Sequence, residues 1–236
     1  MKPVAVLQYY AHDGIGFFGE HLRARGVPMR VFELFDGHVA PASLQPFGGL
    51  CLLGGPMSVN DDWEPLREGE RLVREALRAD VPVFGHCLGG QLMSRALGGQ
   101  VGAADHAEIG WSQIDAQDHP LARHWFGRAA FPMFQWHNET FSVPPGAELI
   151  ATGAWCRHQA FAIGRLHIGV QFHCEIDRSK IESWLRVPES DDIDRHAASP
   201  AVQRPQAIRS ATEERLADGQ RTAAYMYDRW LERLAC

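Results

Sequence analysis

Through roughly the first hundred residues, short and nearly continuous apolar runs alternate with stretches whose apolar positions recur every three or four residues. The runs VAVLQ (4–8), MRVFEL (29–34), GLCLL (49–53) and VPVF (81–84) have the length and composition of strands. The stretches near 16–25, near 63–79 and from about Gly89 to Leu97 have helical spacing. Strands that do not alternate apolar with polar residues are buried on both faces, as in a parallel sheet covered by helices on each side. The pattern predicts an α/β fold with a doubly wound, mostly parallel central sheet flanked by helices.

From about Gly99 to Gln171 the rhythm changes to short strands separated by turn signals: IGWSQID, FPMFQW, ELIATG, QAFAIG and LHIGVQF. This helix-poor half is expected to close the sheet. SKIESWLRV then reads as a helix, and VPESDDIDRHAASPAVQRP, with three prolines and several charges, as a loop or linker. Over about 206–235, Ile208, Leu216, Met226, Trp230, Leu231 and Leu234 lie among Arg, Glu and Ala, the pattern of an amphipathic C-terminal helical extension. A solvated helix packed on the core edge is the reading favoured for it, against a homodimer or partner surface. There is no internal repeat.

With 236 residues, 45% of them hydrophobic, the chain can bury one large core. Its 23 basic and 29 acidic residues give a formal charge of −6 and are mixed along the chain, so there is no electrostatic case for a nucleic-acid partner. The apolar run before His12 and Asp13 is too short for a signal segment or a membrane span, which predicts a soluble, cytoplasmic protein without a membrane partner. Five cysteines at 51, 87, 156, 174 and 236, none in a CxxC pair, fit reduced thiols rather than a disulfide framework or a thiolate zinc site.

One cysteine stands apart. GHCLG, residues 85–89, fits Gly-x-nucleophile-x-Gly between a predicted strand and a predicted helix, the context that a nucleophile elbow requires. Gly85 and Gly89 would let the strand and helix backbones pass closely, and the helix start would favour a thiolate at Cys87. The same residues also fit a core cysteine beside a glycine-rich phosphate cradle. A thiol nucleophile needs a base. GVQFHCEID supplies one at the end of the last predicted core strand, where two-residue alternation sends His173 and Glu175 to the same side. The same alternation turns Cys174 away, against a metal site built from the three.

These pieces, with GGP (54–56), HAEIGW (106–111), WHNETFSVPPGA (136–147), QAFAIG (159–164) and QFHCE (171–175) in that order, resemble the class I glutamine amidotransferases over about residues 1–180. The likeness is to stand-alone proteins similar to the glutaminase domain of GMP synthase. The resemblance implies a flavodoxin-like fold of the class I type, a glutaminase domain over 1–185, and a linker with a helical extension over 186–236 packed on the same domain. It implies that Cys87 attacks the side-chain amide of glutamine, that His173 protonates the departing ammonia and that Glu175 orients His173. Backbone N–H groups of Gly55 and Leu88 would meet the oxyanion, and Gln91 with the backbone around Ala160 and Phe161 would form the glutamine pocket. His137 and Glu108 would brace loops near the site. Where the family often has Pro between the triad His and Glu, this chain has Cys174, for which a packing role is expected.

The resemblance implies no cofactor and no metal. No GxxxxGK[ST] loop occurs, and the residues after 180 are too few for an ATP-binding synthetase domain. Ammonia would therefore pass to a separate synthetase subunit, or the chain would act alone as a hydrolase. A γ-glutamyl peptidase-like hydrolase acting on γ-glutamyl peptides or conjugates is the alternative, and a non-catalytic regulatory module of the same fold ranks third.

Overall fold

A computed structural model describes residues 1–186 and 191–234. Five strands, β1 (Val4–Gln8), β2 (Met29–Glu33), β3 (Gly49–Leu52), β4 (Val83–His86) and β9 (His167–Val170), run parallel in the order β2-β1-β3-β4-β9. Beyond β9 the sheet continues antiparallel through β8 (Ala160–Ile163), β7 (Glu148–Gly153), β5 (Val101–Ala116) and β6 (Ala130–Phe141). The nine-stranded sheet is thus evenly mixed, which corrects the expectation of a mostly parallel one. The physical reason lies in the connections. Parallel neighbours need a crossover, and the second half joins β7 to β8 and β8 to β9 by short loops that permit only antiparallel return.

The continuous apolar runs are explained by cover on both faces. Along β1, Val4 and Val6 join one core cluster with Phe18, Leu22 and Trp230, from α1 (Gly16–Ala24) and α7 (Pro205–Leu231). Ala5 and Leu7 join the opposite cluster with Leu66, Leu72 and Leu92, from α2 (Glu64–Arg78) and α3 (Leu88–Ala96). Neighbouring β3 repeats the alternation, Cys51 on the first side and Leu50 and Leu52 on the second. The C-terminal helix is therefore more than a rim element: Met226, Tyr227 and Trp230 are fully buried on the sheet.

Two helices escape the sequence reading. The helix-poor half contains α4 (Pro120–Phe126), whose start is capped by His119 Nδ1 accepting from the Leu121 N–H at 3.2 Å. Within the stretch read as a linker, α6 (Asp191–Arg195) follows α5 (Arg178–Trp184) and buries Ile193. The start of that predicted linker, residues 187–190, lies outside the described residues, as does the end of the predicted SKIESWLRV helix. Among the described residues no helix is long and apolar enough to cross a membrane.

Candidate active site

In an open sheet with helices on both faces, the carboxyl edge of the parallel strands is where connecting loops converge and ligands bind. Asp13 follows β1, Gly55 follows β3, Cys87 follows β4 and His173 follows β9, and all four line one cleft of about 480 Å³. The topology gathers residues scattered along the sequence because their strands are neighbours.

Cys87 occupies a sharp turn between β4 and α3, with φ 47° and ψ −107°, a backbone conformation that L-residues rarely adopt. Its N–H is fixed by the Val170 carbonyl at 2.9 Å and its carbonyl by the Gln91 N–H at 3.0 Å. The two flanking glycines do what the motif anticipates. A Cβ on Gly85 would stand 2.6 Å from the Gly89 carbonyl carbon, and one on Gly89 would collide with the Leu52 carbonyl oxygen. Gly89→Ala is therefore expected to destabilise the fold by about 1–3 kcal/mol, the usual cost of overpacking a close contact. A urea midpoint equal to that of wild type would refute this close-packing account.

His173 sits just past β9, outside the ladder, and is held by a bridge in which its N–H donates to the Phe134 carbonyl at 2.8 Å. Its Nδ1 is 2.7 Å from Glu175 Oε1, so the imidazole and the carboxylate form a direct buried pair. Trp184 of α5 stands edge-on to the imidazole at 4.7 Å between centroids. Burial opposes the imidazolium, yet the Glu175 carboxylate and Cys87 outweigh it and hold the His173 pKa well above the ordinary histidine range. Burial likewise opposes the Glu175 carboxylate. Lys180 first and His173 second overcome that and keep its pKa well below the ordinary carboxylate range.

The supporting cation had no signal in the sequence. Lys180 of α5, itself buried, donates to Glu175 Oε1 at 2.9 Å and to the Gly14 carbonyl at 2.8 Å, and pairs with Asp13. Gln171 was also missed, although it shares the two-residue alternation of His173 and Glu175; its Nε2 donates to Cys87 Sγ at 3.6 Å. The Trp136 carbonyl lies 3.9 Å from the same sulfur.

Of the remaining sequence-predicted residues, Gly55 lines the cleft, and Leu88 opens α3 directly after Cys87, where the first N–H groups of a helix have no intrahelical partner. Gln91 also lines the cleft, its amide donating to the Glu139 carbonyl at 3.2 Å and facing Gln171 Oε1 at 3.4 Å. Ala160 and Phe161 depart from expectation. Both are fully buried in β8 and neither lines the cleft, because β8 is covered on both faces and the Phe161 ring packs against Phe141 at 5.0 Å. The polar residue beside them makes the contacts instead: Gln159 Nε2 donates to Glu108 Oε2 at 2.7 Å. Glu108 and His137 meet at 3.2 Å, joining β5 to β6.

Close sets of metal-type donors surround Glu175, and a further set comprises Glu108, His137 and Cys156. Hydrogen bonds join Glu108 to His137 and Gln159, and Glu175 to His173 and Lys180, while Glu108 Oε1 and Glu175 Oε2 are buried with no hydrogen-bond partner among the described residues. Cys174 turns from the cleft into the core, its Sγ 3.3 Å from the Tyr227 hydroxyl.

A family model for glutamine amidotransferase class-I matches residues 19–185. The structure of a glutamine amidotransferase from Methylobacillus flagellatus superposes with a TM-score of 0.96 at 37% identity, covering 100% of this chain and 96% of that one. The glutamine amidotransferase-like protein YfeJ of Salmonella typhimurium is 26% identical over 80% of this chain and 83% of its own length. GMP synthase of Alkalilimnicola ehrlichii is 32% identical over 61% of this chain, which spans only 29% of that longer protein.

Proposed function

The chain belongs to the class I glutamine amidotransferases, and on that premise we propose that it hydrolyses the side-chain amide of glutamine to glutamate and ammonia through Cys87, His173 and Glu175. The observation that carries this reading is the convergence, at one cleft, of a cysteine in a strained strand-to-helix turn with a buried His–Glu pair 2.7 Å apart. Cys87 Sγ attacks the amide carbon, and the N–H groups of Gly55 and Leu88 receive the charge that develops on its oxygen. His173 gives its proton to the amide nitrogen, the C–N bond breaks and ammonia leaves a γ-glutamyl thioester. Water then attacks the thioester, passing a proton to His173. The C–S bond breaks, glutamate departs and the thiol is restored.

Glu175 holds the Nδ1 side of His173, which leaves Nε2 for proton transfer. Gln91 is the substrate-pocket residue carried forward from the sequence, since it reaches the cleft. The strand order β2-β1-β3-β4-β9 supports a flavodoxin-like description of the parallel half. Residues 1–185 are taken as the glutaminase domain, with the remainder as its extension. From the likeness to GMP synthase, a synthetase subunit is the partner proposed for the ammonia.

A glutamine analogue carrying a diazoketone in place of the amide tests the assignment directly. Peptide mapping by mass spectrometry is expected to find one adduct per chain, on Cys87, with Cys51, Cys156 and Cys174 unmodified inside the core. An adduct on another cysteine would overturn the elbow assignment.

A further inference from the structure

Glu175 uses its two oxygens unequally. Oε1 is shared by His173 Nδ1 and Lys180 Nζ at 2.7 and 2.9 Å, whereas Oε2 is buried with no hydrogen-bond partner among the described residues. His86 Nε2 stands 4.0 Å from Oε2. His86 ends β4, directly before Cys87, and is fully buried with its ring stacked on Phe84 at 4.6 Å. The same nitrogen has a second neighbour, from the far end of the chain. The Tyr227 hydroxyl of α7 lies 3.1 Å from His86 Nε2, and the Tyr227 ring is clamped edge-on by Phe18 at 5.1 Å.

We propose that Tyr227 is a positioning residue for the triad carboxylate: its hydroxyl occupies His86 Nε2 and so reserves Glu175 for His173. The proposal rests on the reading of Glu175 as the residue that orients the catalytic histidine. The hydroxyl donates its one proton to Cys174 Sγ at 3.3 Å, so toward His86 it is the acceptor of the Nε2–H. Around His86 stand Cys51 from β3, with Sγ 3.7 Å from Nδ1, the Leu52 backbone as a hydrogen-bond partner, His173, Cys174 and Glu175 from the segment after β9, Lys180 from α5 and Tyr227 from α7. Burial lowers the His86 pKa to about 4; Glu175 pulls it up, and the Lys180 and His173 charges push it down. Without the hydroxyl, Glu175 Oε2 is the carboxylate oxygen beside Nε2, at 4.0 Å. A protonated His86 paired there would draw the carboxylate's field away from His173.

The test compares Tyr227→Phe with Trp230→Phe in the full chain. Trp230 lies one turn along α7 and packs on Phe18 and Phe84, so its variant loosens the helix without touching the hydroxyl. With ¹⁵N-labelled histidines, Tyr227→Phe is expected to raise the NMR titration midpoint of His86 by about one pH unit and to shift the His173 ring signals in the same range. Trp230→Phe is expected to leave both unchanged. In glutamine turnover, Tyr227→Phe should lower kcat about tenfold on the acid limb, equivalent to that one-unit displacement, with KM nearly unchanged. Adding His86→Gln, which takes up no proton, should cancel the displacement.

An unmoved His86 midpoint in Tyr227→Phe, an equal movement in Trp230→Phe, or failure of Tyr227→Phe to fold would overturn the proposal. Loss of folding would do so because it makes the hydroxyl a requirement of packing. Absence of glutamine turnover in wild type would instead strike the glutaminase reading, and the NMR comparison would still decide the role of Tyr227.

Discussion

Cys87→Ala is expected to stop glutamate release, lowering kcat by roughly 10⁴- to 10⁶-fold, the range found when single members of a nucleophilic triad are removed. Without the sulfur no thioester forms, so the reaction is thrown back on direct attack by water. The residual rate would come from binding and from the backbone N–H groups, which the substitution leaves in place. The fold should survive. Alanine meets the same backbone cost at φ 47° as cysteine does, and the Cys87 backbone bonds to Val170 and Gln91 do not involve the side chain. Parallel glutamate and ammonia assays on wild type and variant, with thermal melts of each, check both halves of the expectation. A variant with full activity would remove Cys87 from the mechanism. A variant that is inactive because it has melted would leave the lost activity uninformative, which is why the melts accompany the assay.

The sharp turn at Cys87 was readable because its requirements are local. A strand of four apolar residues, two glycines at fixed offsets and a following helix all lie within GHCLG and its flanks, and close packing of Gly85 against Gly89 is what that spacing encodes. His173 and Glu175 were readable for the same reason, by two-residue alternation. Lys180 and Tyr227 were not, because each reaches Glu175 or its neighbours through a packing decision. Lys180 is placed by the docking of α5, and Tyr227 by burial of an α7 face whose sequence reads as a largely polar helix. Asp13 sits between, since its loop follows β1 at the carboxyl edge and only the topology says that this edge is the site.

Local signals also failed where length was short. HPLARHWFG carries a proline at the first helical turn and a glycine just past the last, which mark α4, but seven residues are too few for a periodicity to show. Ala160 and Phe161 had no such local signal: they were named through the matched motif, and the strand that contains them is buried away from the residues lining the cleft.

Lys180→Met provides the second large effect, and its pH dependence separates charge from packing. In wild type Lys180 is the cation between two buried carboxylates, Asp13 and Glu175. Methionine keeps most of the volume and removes the charge, leaving Asp13 without the Lys180 cation and Glu175 with His173 alone at hydrogen-bond distance, and breaking such a buried pair typically costs about 3–5 kcal/mol. In wild type the depressed Glu175 pKa gives stability that is fully present above the unfolded carboxylate value of about 4.3 and is lost as pH falls through the folded value. The raised His173 pKa gives stability that is fully present below about 6.5 and is lost as pH rises through the folded value. Together the two contributions are greatest between those limits. Once Lys180 is gone, burial is expected to prevail over His173 and His86, the influences that still oppose it, and to raise the Glu175 pKa, so that the folded state binds a proton that the unfolded state has released. Stability of the variant should then fall as pH rises from about 4.3, where wild-type stability does not. Urea unfolding of both chains at pH 4, 5 and 6 measures this slope. A variant destabilised by the same amount at all three values would mean that Lys180 acts through packing alone, and that the low pKa of Glu175 does not depend on it.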